Sequence, residues 1–246
     1  HMASISYSLK EILVRNNYQL IVSTSGFFCF KGFDVVSLEN NEIDKFCINQ
    51  FDTFRKNLPQ EKNSIIIFGG RFPLYLNNSY FNNFEGGIEN QKMKYKYLSK
   101  NNYSSLSDSF NTEVLRLSKN NKIIIVYPIP EVGWHVPPRL KNLILKDKRL
   151  LVKSNFSKEK FVTTSFDVFK ERSKSSFKLL DSIQGENIFR VYPHTLFCDT
   201  TIKDRCVTHD DKNIFYTDDD HPSLKGAEMI NDLIVKEIEK IKLKSN

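Results

Sequence analysis

The sequence predicts an α/β fold with a mostly parallel central sheet. Short runs of β-branched apolar residues have the composition of strands that are buried on both faces. Segments with apolar residues at helical spacing lie between these runs, and no internal repeat or linker interrupts the alternation. The 246 residues are enough for one sizeable core. We therefore expect a single domain over residues 1–246.

The first half of the chain contains two predicted helix–strand units and a long loop. The first helix is followed by the strand YQLIVSTSG, which ends at Gly26, and the second by the strand SIIIFGG, from Ser64 to Gly70. The Asn-rich stretch after it, YLNNSYFNNFEGGIENQKMKYKYLSKNNYSS, predicts an excursion over the surface that could act as a lid. The apolar faces of the two helices are Ile5, Leu9, Ile12 and Leu13, and Ile43, Cys47, Phe51, Phe54 and Leu58.

The second half continues the alternation. Strands are predicted at KIIIVYPIP, from Lys122 to Pro130, and at NIFRVYP. Pro137 and Pro138 argue against a helix directly after the first of these strands. Three helices are predicted from their apolar faces: Leu106, Phe110, Val114 and Leu117; Phe166, Phe169, Phe177 and Leu180; and Ala227, Ile230, Ile234, Ile238 and Ile241.

Charge and hydropathy limit the classes of partner. The net charge of +7 would suit an anionic partner, but the lysines are dispersed and form no nucleic-acid-binding motif. We therefore expect a solvated basic surface and no nucleic-acid partner. No apolar run reaches the roughly 18 residues that a membrane-spanning helix needs, so no span is expected within this domain.

The four cysteines form two local pairs, Cys29 with Cys47 and Cys198 with Cys206. No CxxC motif occurs, so no metal site is predicted. Two loop-closing disulfides in an oxidising compartment fit this spacing, and four reduced core cysteines in a cytosolic protein are the alternative. Because no signal peptide is present, export would require that the chain be part of a longer protein.

A candidate acid–base pair lies in the stretch TDDDHPSLKGA. Asp218 and His221 have the spacing at which an aspartate can orient a histidine through Nδ1 while Nε2 acts as a general base. The alternative is a surface turn whose aspartates cap the following helix. Asp219 and Asp220 are interpreted in that way, as turn and helix-start residues.

Other candidates follow the predicted strands, where parallel sheets bind ligands. Backbone amides at Gly26 and Gly70 could donate to an oxyanion, and Arg71 could add a charged donor, although turn glycines and a surface arginine are the alternatives. Trp134 could form an aromatic wall of a substrate loop. No GxSxG motif supplies a nucleophile.

These motifs resemble those of the SGNH (GDSL-like) hydrolases. The closest resemblance is to the SGNH domain fused to the membrane acyltransferase-three domain of bacterial sugar O-acetyltransferases. YTDDDHPSLKGA is similar to the last block of the family, VYPIPEVGW and LFCDTTIKDRC to two upstream segments, and STSGFFC to the glycine block. The resemblance implies a three-layer α/β/α, flavodoxin-like fold, with Asp218 and His221 as two members of a Ser-His-Asp triad.

The sequence departs from the family pattern at two places. Gly69-Gly70-Arg71 stands where the family has Gly-x-Asn, so Arg71 could replace the oxyanion-binding asparagine. The Gly-Asp-Ser block is absent. In the fused branch this block continues with histidine, so we expect the nucleophilic serine directly upstream of His1. The alternative is that His1 and Met2 are a cloning scar.

The resemblance also implies a function. The chain is expected to be the C-terminal part of a longer membrane protein, tethered at the periplasmic face of the bacterial inner membrane. There it would move an acetyl group through a serine acyl-enzyme to a hydroxyl of a cell-envelope glycan, such as lipopolysaccharide O-antigen. The acetyl donor would be delivered by the membrane acyltransferase domain of the same chain, and no cofactor is implied. A carbohydrate acetylesterase and a non-catalytic glycan-binding module are the alternatives.

Overall fold

The structure is a computed structural model that describes residues 1–24, 28–45, 47, 64–89, 91–100, 103–146 and 161–245. Its helices are α1 (Met2–Arg15), α2 (Phe72–Asn77), α3 (Leu106–Ser118), α4 (Val136–Lys146), α5 (Phe166–Ser182), α6 (His194–Phe197) and α7 (Leu224–Ser245). Its strands are β1 (Phe33–Ser37), β2 (Ile65–Phe68), β3 (Tyr95–Ser99), β4 (Lys122–Val126), β5 (Thr163–Ser165), β6 (Ile188–Val191) and β7 (Arg205–Val207).

The central sheet is parallel and has the order β2-β4-β6. The predicted strands SIIIFGG, KIIIVYPIP and NIFRVYP supply its three members, each shorter than the apolar run that predicted it. Two small antiparallel pairs, β1 with β3 and β5 with β7, lie outside this sheet.

Helices cover both faces of the sheet, which confirms the predicted three-layer architecture. Ile124 and Val126 of β4 belong to a core cluster with α1 and α7. Ile123 and Ile125 belong to a second cluster, with α3 and α5. Successive strand residues point to opposite faces, so a strand with no polar position can be buried only in such a sandwich of helices.

Burial of β4 predicts a clear contrast in stability. Ile124 is completely buried, so replacing it with alanine should lower the free energy of unfolding by about 3–4 kcal/mol, through lost burial and the cavity left behind. Ile21 is 73% exposed, and I21A should change the same quantity by less than about 0.5 kcal/mol. Urea denaturation of both variants would check this expectation, and equal effects would contradict the assignment of the core.

The predicted strand YQLIVSTSG is wrong over residues 18–24. This segment has no strand structure, and Ile21 and Val22 are largely exposed. An apolar run becomes a buried strand only when a neighbouring strand pairs with its backbone. No strand among the described residues forms a ladder with this segment. Ser25 and Gly26 lie outside the described residues.

The Asn-rich stretch is not a structureless excursion. It contains the end of α2, a bridge between Asn82 and Ile88, and β3, which pairs with β1. β1, with the sequence FDVVS, is also absent from the sequence-based prediction. Alternation of lysine and tyrosine in KYKYL is typical of a strand, but the surrounding asparagines and lysines obscured it.

Pro137 and Pro138 lie inside a helix, contrary to the prediction. They occupy the first turn of α4, where backbone N–H groups have no carbonyl partner within the helix. Arg139, the next residue, donates its N–H to the carbonyl of His135 at 3.1 Å, so the proline pair begins the helix rather than preventing it.

The predicted second helix, with Ile43, Cys47, Phe51, Phe54 and Leu58, lies mostly outside the described residues. Cys47 is described and forms a disulfide with Cys29. A second disulfide joins Cys198 to Cys206. The structure therefore has the two local disulfides that the cysteine spacing indicated, and no cysteine is left free.

Candidate active site

The candidate site lies beyond the carboxyl ends of the central strands. Arg71 follows β2, the segment 127–135 follows β4, and the loop 216–223 precedes α7. The N–H groups of Val132 and Gly133 donate to the carbonyl of Asp219 at 2.9 and 3.2 Å, and that of Val136 donates to Asp218 at 3.3 Å. These bonds fix the aspartate-rich loop against the segment that follows β4.

Asp218 orients both the backbone and the ring of His221. One carboxylate oxygen of Asp218 accepts the N–H groups of Asp220 and His221 at 3.0 and 2.7 Å, and the other lies 2.9 Å from His221 Nδ1. The His221 side chain is 44% exposed, and among the described residues no side chain hydrogen-bonds to its Nε2. This arrangement leaves Nε2 accessible to an incoming group.

Asp220 is a second carboxylate on the same imidazole nitrogen. Its Oδ1 lies 2.8 Å from His221 Nδ1, and its Oδ2 lies 2.9 Å from Arg71 and 3.0 Å from His1 Nε2. Only 3% of the residue is exposed. Asp220 is therefore not a helix-start residue, because α7 begins at Leu224 and Ser223 Oγ accepts the Gly226 N–H.

All three guanidinium nitrogens of Arg71 contact carboxylates. Nε lies 2.6 Å from Glu131, one terminal nitrogen contacts Glu89 and Asp220, and the other contacts Glu89 and Glu131. Arg172 binds Glu131 from the other side, at 2.7 Å. Arg71 is thus the centre of a buried ion network, and the oxyanion role predicted for it remains a prediction that this geometry does not favour.

The carboxylates and the basic groups shift one another's pKa. Hydrogen bonds with Asp218 and Asp220 raise the pKa of His221 to about 9. Burial would raise the pKa of Asp220, but His221 and Arg71 hold it below its usual range. Burial opposes the same effect at Asp218, whose hydrogen bonds with His221 and the backbone keep its pKa low.

Asp219 behaves differently from its two neighbours. Burial and the charge of Asp220 raise the pKa of its carboxyl above the usual range. Its main structural contribution is the carbonyl that accepts the two N–H groups of Val132 and Gly133. The three consecutive aspartates therefore have three different environments.

The first residue of the chain lies at this site. The His1 ring meets that of His221 edge-on, with centroids 5.4 Å apart, and a Cβ on Gly69 would meet the side chain of Met2. The main-chain nitrogen of His1 is largely buried and lies near Asp220, Arg71 and Asp218. The N-terminus, the glycines after β2 and the acid–base pair are therefore neighbours.

Of the remaining predicted site residues, those that the structure describes have no hydrogen bond to the His221–Asp218 pair that supports their predicted roles. Gly70 is described and directly precedes Arg71, whereas Gly26 lies outside the described residues. Trp134 lies in the segment bonded to Asp219, but its Nε1 donates to the Thr163 carbonyl and the Arg139 guanidinium covers its ring at 4.4 Å. A substrate-wall role for Trp134 remains a prediction.

Among the described residues, two groups bring together side chains that can bind a metal. Ligand atoms of His1, Asp220 and His221 lie within 4.8 Å of one another, as do those of Asp218, Asp219 and Asp220. In both groups Asp220 is already paired with Arg71, whose positive charge would repel a cation. The arrangement is that of an internally neutralised charge cluster.

Sequence reasoning missed Asp220, Glu89 and Glu131. The position of Glu131 directly after a buried strand could have identified it, because such positions face the ligand-binding edge of a parallel sheet. Neither Glu89, in the Asn-rich stretch, nor the burial of Asp220 has a comparable local signal. The roles of Glu89 and Asp220 become visible only when the position of Arg71 in the fold is known.

A parallel sheet with a histidine–aspartate pair beyond its carboxyl edge defines a class of α/β proteins with an acid–base site suited to acyl transfer. The chain belongs to the family of SGNH domains fused to AT3 domains, whose family model matches residues 1–236. No match to a curated protein or to a solved structure was found. Membership supports a hydrolase or acetyltransferase type of activity in glycan acetylation.

The family also indicates the setting of the domain. Its description places SGNH domains in the same chain as AT3 domains, and fusion together with two disulfides indicates an extracytoplasmic domain. None of the helices among the described residues is both long and apolar enough to cross a bilayer.

Proposed function

We propose that this chain is the periplasmic O-acetyltransferase domain of a membrane-tethered protein, and that it passes an acetyl group to a hydroxyl of a cell-envelope glycan. The observation that carries the proposal is the His221–Asp218 pair, held beyond the sheet edge with Nε2 accessible. Tethering would place the domain near both the acetyl donor and the acceptor, so that it needs little affinity of its own.

The chemistry proceeds through a serine ester. His221 Nε2 takes the proton of the serine hydroxyl as its oxygen attacks the acetyl carbonyl, and then returns that proton to the leaving group. In the second half-reaction, His221 takes the proton of a sugar hydroxyl as its oxygen attacks the acyl carbonyl, and then gives that proton to the departing serine oxygen, which regenerates the free serine and leaves the acetyl ester on the sugar. Asp218 holds the imidazole tautomer throughout.

The proposal assigns the nucleophile to a serine directly before His1. The position of His1 supports this assignment, because its largely buried main-chain nitrogen, to which a preceding residue would be joined, lies near Asp218, Asp220 and Arg71. The oxyanion would be held by backbone amides of Gly26 and Gly70. Gly70 directly precedes Arg71 after the end of β2, and its neighbour Gly69 lies against the side chain of Met2.

An acyl-transfer assay tests the function directly. The full-length protein would be incubated with an acetyl ester, with and without an oligosaccharide isolated from the envelope of the bacterium that makes the protein. Free acetate and acetylated sugar would then be measured. We expect the acceptor to divert acetyl groups from water to sugar. Acetate release that no acceptor changes would instead identify the protein as an acetylesterase.

A serine-directed fluorophosphonate distinguishes a catalytic domain, whether transferase or esterase, from a non-catalytic binding module. The catalytic proposal expects covalent labelling at the serine before His1, and loss of that labelling when this serine is replaced with alanine. Absence of labelling, together with glycan binding that H221A does not affect, would contradict the proposal and favour a non-catalytic module.

A further inference from the structure

We propose that Asp220, held in place by Arg71, is a second positioning residue for His221, and that Arg71 acts on the imidazole through Asp220 rather than on the substrate. The inference rests on the proposed function for its catalytic meaning. Its structural content, a link from Arg71 through Asp220 to His221, can be tested without activity.

Asp220 lies between two basic groups. Its two carboxylate oxygens face in different directions: Oδ1 to His221 Nδ1 at 2.8 Å, and Oδ2 to Arg71 at 2.9 Å. A carboxylate that is almost fully buried must be paired, because its desolvation is costly. Asp220 therefore cannot turn away from His221 without also breaking its contact with Arg71.

Arg71 is held in a fixed orientation. Glu89 and Glu131 together contact all three of its nitrogens, and Arg172 fixes Glu131 in turn. Planar guanidinium–carboxylate pairs of this kind restrict the orientation of both partners. The network runs from Arg172 through Glu131 and Arg71 to Asp220, which contacts His221.

Several charged groups surround His221. Two carboxylates, Asp218 and Asp220, contact its Nδ1, and the His1 ring packs against it. Arg71, which follows β2, brings positive charge to Asp220, the His1 ring contacts Asp220 Oδ2 at 3.0 Å, and Glu89 and Glu131 pair with Arg71. Asp218 and Asp220 are the members of the aspartate triplet that raise the pKa of His221 most, and Asp219 is not among the main causes.

These contacts set the protonation of His221. The protonated imidazole is favoured by each carboxylate on Nδ1, so losing one carboxylate should lower its pKa. Arg71 attracts Asp220 and offsets its charge, so losing Arg71 should raise the pKa of His221 further. A neutral His221 is the form that accepts the serine proton, and Arg71 thus increases the fraction of active enzyme at neutral pH.

Histidine NMR titration tests the link on the 246-residue chain, which has five histidines. His221 would be identified by the loss of its signals in His221→Asn. We expect Asp220→Asn to lower its pKa by on the order of one unit from about 9, and Asp219→Asn to leave it unchanged. A drop of one unit would multiply the neutral fraction at pH 7 about tenfold.

The role of Arg71 is tested in two backgrounds. Arg71→Met should raise the pKa of His221 when Asp220 is present, and should have little effect when it is combined with Asp220→Asn. Equal shifts in both backgrounds would overturn a link through Asp220. If Arg71→Met does not keep the fold, the Asp220→Asn titration decides alone, because an unchanged His221 pKa there removes the link itself.

Activity adds a readout that a purely structural role would not move. In Asp220→Asn, the acidic limb of the pH profile of kcat/KM should move to lower pH together with the NMR pKa. The plateau should fall, because the imidazole loses one of its two supports. An NMR shift in a protein that transfers no acetyl group would leave this link intact and contradict only the proposed function.

Discussion

Replacing His221 with alanine is expected to lower acyl transfer by at least about a thousandfold, because the proposed nucleophilic serine would lose its proposed general base. Serine labelling by a fluorophosphonate should disappear together with turnover. The melting temperature should fall moderately, because the half-exposed imidazole loses its pairing with Asp218 and Asp220 but leaves no buried cavity. Loss of activity in a folded protein would separate catalysis from stability.

A matched control is available in the same region of the chain. His135 is exposed and lies before α4, outside the charge cluster around Arg71. H135A should keep both labelling and transfer at the level of the unchanged protein. Labelling that survives in H221A, or disappears equally in H135A, would contradict the assignment of His221 as the general base.

Replacing Gly133 with alanine is expected to lower the free energy of unfolding by about 2–4 kcal/mol. Gly133 has a φ of 70°, and a Cβ there would lie 2.7 Å from the carbonyl oxygen of Gly87. Its N–H also donates to Asp219 at 3.2 Å. Strain at Gly133 should therefore displace the loop that holds Asp218 and His221, and transfer should fall with stability.

Gly185 is the control for Gly133. A Cβ on Gly185 would meet only the side chain of Ile188, at 3.4 Å, and its φ is not in the left-handed region. Urea denaturation should show a much smaller change for G185A than for G133A. A similar loss in both variants would mean that the close approach of Gly133 to Gly87 does not limit this part of the fold.

The sequence predicts the central layer of the fold better than its margins. β2, β4 and β6 consist mainly of apolar residues, most of them β-branched, which favour burial on both faces, and this local property identified the strands. The run at residues 18–24 is similarly apolar, but no strand among the described residues forms a ladder with it. Composition cannot indicate whether a neighbouring strand will be available, so that strand was predicted wrongly.

The candidate site shows the same distinction between local and distant information. The turn from Asp218 to His221 is local, and its DxxH spacing indicated the hydrogen bond that the structure has. The contact between Arg71 and Asp220 joins residues far apart in the sequence, and neither position shows this relationship by itself. Arg71 was interpreted as a ligand-binding residue because its buried carboxylate partners were not visible in the sequence.

The packing of α1 against α7 has a consequence for the order of folding. Asn231 of α7 donates to the Ile5 carbonyl at 3.0 Å and to Ser8 Oγ at 2.7 Å, and His1 meets Asp220 across 219 positions of sequence. Contacts of such separation form late, because a long loop must close first. During synthesis, α1 emerges long before α7, against which its apolar face packs, and Asp220 can join the charge cluster only after residue 220 has emerged. A nascent or C-terminally shortened chain without α7 would therefore leave part of the apolar face of α1 exposed.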